Sequence, residues 1–200
     1  VATIVGHSVA PRHAMGRAGL PWESPRTCSM GNALTFRMAT SADAATIHDA
    51  VLGLSDAMDE RHRVVSTPQD IARHGFGDKP AFEALIAQDG SETAGVCVFF
   101  PSFSTYRGKP GAYVLDLYVY PQWRRRGVAG GLLQRVAAIT RARGGAYVRL
   151  SVDAANVSAQ LFYEGLGMKH ATRERILSAH DEAFAALADA GDRLASKETG

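Results

Sequence analysis

Few features of this sequence point to a special environment. Only Cys28 and Cys97 occur, far apart, which argues against a disulfide-stapled scaffold and makes a reducing cytoplasm the expected setting. No apolar stretch approaches the ~20 residues that a membrane-crossing helix requires, so no membrane partner is expected. Charge of one sign is missing too: 22 Lys plus Arg stand against 20 Asp plus Glu, and a net charge of +2 gives no global field for nucleic acid. The 7 histidines, among them the scattered His7, His13 and His48, form no pair with cysteine or carboxylate at ligand spacing, so no metal is expected. A Gly-x-Ser-x-Gly elbow and a Cys/His arrangement are absent as well, and with them the usual marks of covalent catalysis.

What is present suffices for one sizeable core. Of the 200 residues 46% are hydrophobic, and the apolar runs are evenly spread. Residues 1–32 differ, mixing Gly, Pro, Ser, Arg and His with Glu23 as their single acid. They read as a flexible extension, with Met15 or Met30 as possible natural starts. The domain is expected over 33–190 and a tail over 191–200.

Along the domain, Leu34–Met38 reads as an edge strand, and Thr40–Asp43 supplies capping residues for a helix from Ala44 to Leu54. A second helix should begin at Ser66 or Thr67, with Pro68 at its first position, where the missing N–H costs nothing. Phe82–Ala87, Thr93–Phe100 and Tyr113–Tyr120 are apolar runs bounded by turn residues, hence strands. A helix over 130–143, a strand over 147–152, a short helix over 157–166 capped by Asn156 and a closing strand over Arg173–Ser178 follow. Asp181–Asp189 is a last amphipathic helix, with Phe184 and Leu187 on its apolar side, and Ser196–Gly200 a frayed end. The strand, helix and strand within 113–152 make a right-handed, parallel βαβ unit. The fold class is α/β.

The most informative stretch runs from Val114 to Leu133. A strand passes into the turn Arg124-Arg125-Arg126-Gly127-Val128-Ala129-Gly130 and then into a helix. Unpaired N–H groups at a helix start, with the macrodipole, attract phosphate, and small residues allow it to approach. The three arginines add countercharge. A dinucleotide fingerprint would need different glycine spacing, and a phosphate loop would end in Gly-Lys-Ser/Thr.

This turn matches Arg-x-x-Gly-x-Ala, the pyrophosphate motif of the GNAT N-acetyltransferase superfamily, through Arg124, Gly127 and Ala129. Gly75–Pro80, Phe103–Tyr113 and Asn156–Gly167 resemble the diamine (spermidine/spermine and thialysine) branch of that superfamily, so the resemblance spans roughly residues 34–178. It implies a mixed, mostly antiparallel sheet with a splayed central parallel pair, 113–120 and 146–152, flanked by helices. It also implies acetyl-CoA as cosubstrate. The backbone of Leu117, Tyr118 and Val119 would meet the pantetheine and that of Arg125 through Gly130 the pyrophosphate, while Asn156 and Ala159 would lie near the thiol end. Relatives are homodimers, which makes a homodimer the expected assembly.

Within the resemblance, Phe162-Tyr163-Glu-Gly-Leu-Gly167 matches the family's Phe-Tyr-x-x-x-Gly helix, whose tyrosine protonates the departing thiolate. A phenol of pKa about 10 can do this. The Val119 N–H would polarise the thioester carbonyl. Elsewhere the chain departs from its relatives. Leu115 stands before Asp116 where polyamine acetylases carry a glutamate, and Ala57-Met58 replaces a tyrosine–glutamate pair. Both changes argue against a polycation. Asp56, Asp59, Glu60 and Asp153 remain as acidic partners for a smaller ammonium, and His62 and His74 as candidate bases, each more often a solvated surface group. The expected activity is acetyl transfer to a primary amine of a small molecule. A CoA-binding sensor or interaction module, or an acetyltransferase of a protein N-terminus or aminoacyl-tRNA, is the alternative.

Overall fold

The computed structural model describes residues 34–198, with side chains through residue 193; the extension over 1–32 lies outside them. The chain divides into two compact units, one ending at Gly167 and the other beginning at Met168.

The first unit is built on a five-stranded sheet in the order β1-β2-β3-β4-β5: β1 (Thr35–Met38), β2 (Glu83–Asp89), β3 (Glu92–Ser104), β4 (Lys109–Val119) and β5 (Val148–Leu150). Strands β1 to β4 pair antiparallel, and β4 pairs parallel with β5. The sheet is thus mixed and mostly antiparallel, with β1 at its edge. The crossover between the two parallel strands is helical, as a parallel connection requires.

Helix α1 (Ala44–Asp56) and helix α2 (Pro68–Phe76) intervene between β1 and β2. Thr67 opens α2 with a capping box: its Oγ1 accepts from Asp70 N at 3.2 Å, and the Asp70 carboxylate accepts from Thr67 N at 2.9 Å. Ile47, Ala50 and Leu54 lie on one stripe of α1 and pack against Ala84, Val96, Val98 and Tyr118. That cluster fixes which sheet face α1 covers. Helix α3 (Val128–Ala142) covers the other. A Cβ placed on Gly95 would come within 3.0 Å of Val128 Cγ1 and 3.3 Å of Leu132 Cδ1, so α3 seats directly on that glycine.

Helix α4 (Val157–Gly165) completes the first unit, and helix α5 (Asp181–Glu198) belongs to the second. The closing strand expected over Arg173–Ser178 does not form: these residues adopt no regular structure, and Ile176 and Leu177 are exposed. Arg-Glu-Arg-Ile-Leu-Ser lacks the in/out alternation that would present one apolar face to a sheet. The last helix continues nine residues beyond Asp189, through Glu198, where fraying was expected from Ser196. Residues such as Leu194, Lys197 and Glu198 are good helix formers.

Candidate active site

Strand β4 is the axis of the site. Its pairing with β5 consists of Ala112↔Val148, Tyr113↔Arg149 and Val114↔Leu150, and there it ends, while β4 runs on to Val119. At the same point the β3 register jumps from Phe99↔Val114 to Val98↔Asp116, leaving Leu115 as an extra residue on β4. A bulge bends its strand and increases the local twist. It also reverses which backbone groups face which neighbour. Ala112 N bonds toward β5 through Tyr147 O, whereas beyond the bulge Tyr120 N bonds toward β3 through Ala94 O. By alternation, Leu117 and Val119 direct their N–H and C=O groups to the side from which β5 has departed. The expected splayed pair is therefore present.

One of those groups is already taken. Arg124 Nε donates to the Val119 carbonyl oxygen at 3.1 Å, tying the turn back onto the strand. Its neighbour Arg126 lies over the Trp123 ring, 5.0 Å from the centroid, as a cation–π pair. Two of the three arginines read from sequence as phosphate countercharge thus also brace the turn. Arg125 is exposed and held at φ 62°, in the left-handed region. The Trp123 indole N–H is buried without a hydrogen-bond partner among the described residues. Sequence reading passed over this tryptophan, and only a buried aromatic between two turn residues could have flagged it.

Helix α3 begins at Val128, two residues earlier than the sequence suggested, with Gly127 as N-cap at φ 79°. Glycine adopts that conformation without the Cβ penalty. Gly131 N makes the first intrahelical bond, to Gly127 O at 2.9 Å, so the N–H groups of Val128, Ala129 and Gly130 stand ahead of the ladder. Among the described residues no side chain caps them, and a Cβ at Gly127 or Gly130 would meet nothing within 4 Å. Open backbone donors and a dipole end lie on the same connection as the open half of β4.

Tyr163 is buried in α4, with its ring edge-on to Phe162 at 5.3 Å. Burial, and next the neighbouring Cys97, push its phenol above the ordinary value, so it stays protonated at neutral pH. Cys97 is opposite Leu117 across β3 and β4 and shares the α3 face with Gly95, two residues away. Asn156 caps α4 by accepting from Ala159 N at 3.0 Å, and Ala159 is fully buried beneath it.

The acidic candidates separate. Asp56 is paired with Arg61 and Glu60 with Arg63, each within its own loop. Asp153 Oδ1 accepts from Ala155 N at 2.7 Å in a local turn. Asp59 sits in a turn at φ 57°. His62 and His74 are both exposed, and Met58 packs against the α1 core cluster. Asp116 alone of these carboxylates lies within the sheet, and burial holds its pKa above the ordinary carboxylate range. Among the described residues no group of three or more His, Cys, Asp or Glu side chains could hold a metal, and no helix is long and apolar enough to cross a membrane.

Comparison with known proteins agrees with this geometry. Solved structures share the fold: an integron cassette protein from the mobile metagenome of V. cholerae has a TM-score of 0.67 at 15% identity, covering 79% of this chain and 99% of that one. An aminoglycoside acetyltransferase from an uncultured soil metagenomic sample has a TM-score of 0.60 at 16% identity, over 74% of this chain and 95% of that one. In sequence, the thialysine N-epsilon-acetyltransferase of Mus musculus is 28% identical over 145 residues, 68% of this chain and 85% of that protein. The L-ornithine N5-acetyltransferase of Arabidopsis thaliana is 30% identical over 122 residues, 61% of this chain and 50% of that protein. The pattern of the Acetyltransferase (GNAT) family matches residues 53–168, more than half of the sequence. The chain belongs to the acetyltransferase (GNAT) family and is an acetyltransferase.

Proposed function

We propose that this enzyme transfers the acetyl group of acetyl-CoA to a primary amine of a small, diamine-like or basic amino-acid-like molecule, by direct attack within a ternary complex. The observation that carries this reading is the continuity of the open half of β4 with the uncapped start of α3. One offers strand-like backbone partners for an extended amide-containing arm, and the other offers N–H donors for a pyrophosphate. Leu117 and Val119 would hold the pantetheine, and the N–H groups of Val128 to Gly130 the phosphates. When bound, acetyl-CoA supplies an activated thioester. The chain's own part is to orient it, to polarise its carbonyl through the Val119 N–H and to return a proton to sulfur from Tyr163.

The acceptor side favours a single ammonium over a polycation. Asp56 and Glu60 already have arginine partners, and Met58 and Leu115 present apolar surface where relatives resembling the polyamine acetylases carry polar groups. The names of the thialysine and ornithine relatives point to amino acids with a side-chain amine, and the same class is proposed here. Isothermal calorimetry with CoA and a thiol-release assay across thialysine, ornithine, lysine and spermidine test the reading. We expect CoA binding and thiol release with the amino acids ahead of spermidine. No CoA binding at high micromolar concentration would end it, and CoA binding without thiol release would favour a sensor.

The assembly is proposed to be a homodimer, in keeping with the resemblance and with the exposure of Phe184 and Leu187 on α5. Sedimentation velocity at micromolar concentration tests it, with a monomer as the contrary result.

A further inference from the structure

We propose that Arg149, on β5, determines acceptor specificity by receiving the α-carboxylate of a basic amino acid, and so separates such acceptors from diamines. The proposal rests on the acetyl-transfer reading and narrows the class of amine that reading leaves broad.

The position follows from register. With the pyrophosphate at the start of α3, the extended arm of the cosubstrate runs along the open edge past Val119 and Leu117. Its thioester then comes to the closed end of the gap, where Val114 and Leu150 are the last paired residues. Arg149 is the residue before Leu150, opposite Tyr113, and it is exposed. From Tyr113 to Leu115, the first unpaired residue on that side of β4, the strand rises only ~7 Å. An extended basic amino acid covers a comparable length between its side-chain nitrogen and its carboxylate, and the arginine side chain adds its own reach. An amine at the thioester therefore brings its carboxylate within range of the guanidinium.

The face follows from contacts, since residues two apart on a strand point the same way. Tyr113 stacks on Phe100 with ring centroids 5.2 Å apart, and Phe100 is two residues from Val98, a member of the cluster beneath α1. Tyr113 Oη is 2.6 Å from Ser151 Oγ. Tyr147 Oη is 3.1 Å from Ser102 Oγ, and a Cβ on Gly111, the partner of Ser102, would run into the Tyr147 ring. Tyr147, Arg149 and Ser151 thus share the face that α1 covers farther along the sheet. Here that face is only half covered, because Phe100, Ser102, Tyr113, Tyr147 and Ser151 are all half-buried.

The chemistry selects a carboxylate. A guanidinium presents a planar fork of donors that a carboxylate meets with both oxygens. The hydroxyls around it bond in pairs, Tyr113 with Ser151 and Ser102 with Tyr147, and add no charge. Other arginines of the first unit are engaged away from this place. Arg37, Arg61, Arg63 and Arg143 pair with carboxylates, and Arg124 and Arg126 brace the turn. A diamine of the same length would bring a second ammonium to Arg149 and be repelled, whereas a basic amino acid brings the opposite charge. Arg149 touches no reacting atom, so its effect belongs to binding.

The test compares lysine with cadaverine and ornithine with putrescine, pairs that differ by the carboxylate alone, in a thiol-release assay. Wild type should have the higher kcat/KM for the amino acid of each pair. Arg149→Gln should lower kcat/KM for the amino acids about tenfold, chiefly through KM, and leave the diamines unchanged or improved. CoA affinity by calorimetry and the melting temperature should stay at wild-type values. Arg149→Lys should keep part of the preference, because a point charge retains the attraction and loses the fork. A wild type that favours the diamines, or releases no thiol with either amino acid while acting on another amine, overturns the proposal and leaves the acetyl-transfer reading intact. Unchanged kinetics in Arg149→Gln, or equal losses for both members of a pair, do the same. Losses that follow a fall in melting temperature or CoA affinity assign Arg149 to the scaffold and overturn it too. Wild-type enzyme without thiol release on any amine overturns both.

Discussion

The two halves of β4 belong to one strand and differ in almost everything that matters for function. From Lys109 to Val114 the strand is flanked on both sides, by β3 and by β5, and Tyr113 Oη is 2.6 Å from Ser151 Oγ across the parallel pair. From Leu115 to Val119 it keeps only its β3 neighbour in the ladder. Interior backbone groups are normally paired, and this open edge is where the proposed function seats the extended arm of the cosubstrate. The single extra residue at Leu115 separates the halves. It also turns the backbone groups of Leu117 and Val119 toward the gap.

If the open half works and the paired half merely holds, changes around the first should reduce function and changes in the second should reduce stability. The largest effect is expected from Tyr163→Phe, which should lower turnover by about one to three orders of magnitude with little change in CoA affinity. Steady-state kinetics with parallel calorimetry check it, and unchanged turnover would remove Tyr163 from the chemistry. Next is Gly127→Ala. Its φ of 79° burdens any Cβ-bearing residue although the space is free, so the effect should be backbone strain alone, about 1–2 kcal/mol. If the turn relaxes to relieve it, CoA should bind about tenfold more weakly by calorimetry.

Tyr113→Phe sharpens the comparison from the other side. Loss of the hydrogen bond to Ser151 should cost about 1 kcal/mol and lower the melting temperature by a few degrees, with turnover retained. A fall in CoA affinity larger than the fall in stability would break the comparison, because this bond would then be setting the width of the gap. The smallest effect belongs to neither half. The Arg37 guanidinium bonds both oxygens of Asp43 and, against the opposing effect of burial, holds its carboxyl well below the ordinary range. A lowered folded pKa gives stability that is present above the unfolded value of about 3.9 and is lost as pH falls through the folded one. With Arg37 partly solvent-exposed, Asp43→Asn should cost only about 0.5–1 kcal/mol at pH 7. Thermal melts of wild type and variant should converge as the pH is lowered below 3.9.

Local chemistry was readable wherever it was locally decided. Thr67, Pro68 and Asp70 announce the start of α2, Asn156 announces α4, and both caps form with the expected atoms. Gly127 could be picked out because a strand-to-helix turn needs a residue without Cβ. The charge and position of Arg124 suggest countercharge for a phosphate, but its bond to the Val119 carbonyl is not visible in the sequence, because that carbonyl comes within reach only once the turn folds back. Asp56 and Glu60 looked available for an amine until folding of their own loop gave them Arg61 and Arg63. The strand expected at Arg173–Ser178 failed for want of an alternating face.

By itself the sequence determined the elements from β1 through α4 and the glycine-capped turn that opens α3, because each depends on residues within a few positions of one another. The tertiary structure alone decided where β5 leaves β4, that Leu115 is the surplus residue, and hence that Leu117 and Val119 turn their backbone groups toward the gap. Strand register is fixed by the partner strand, and a shift of one residue exchanges the faces of everything that follows.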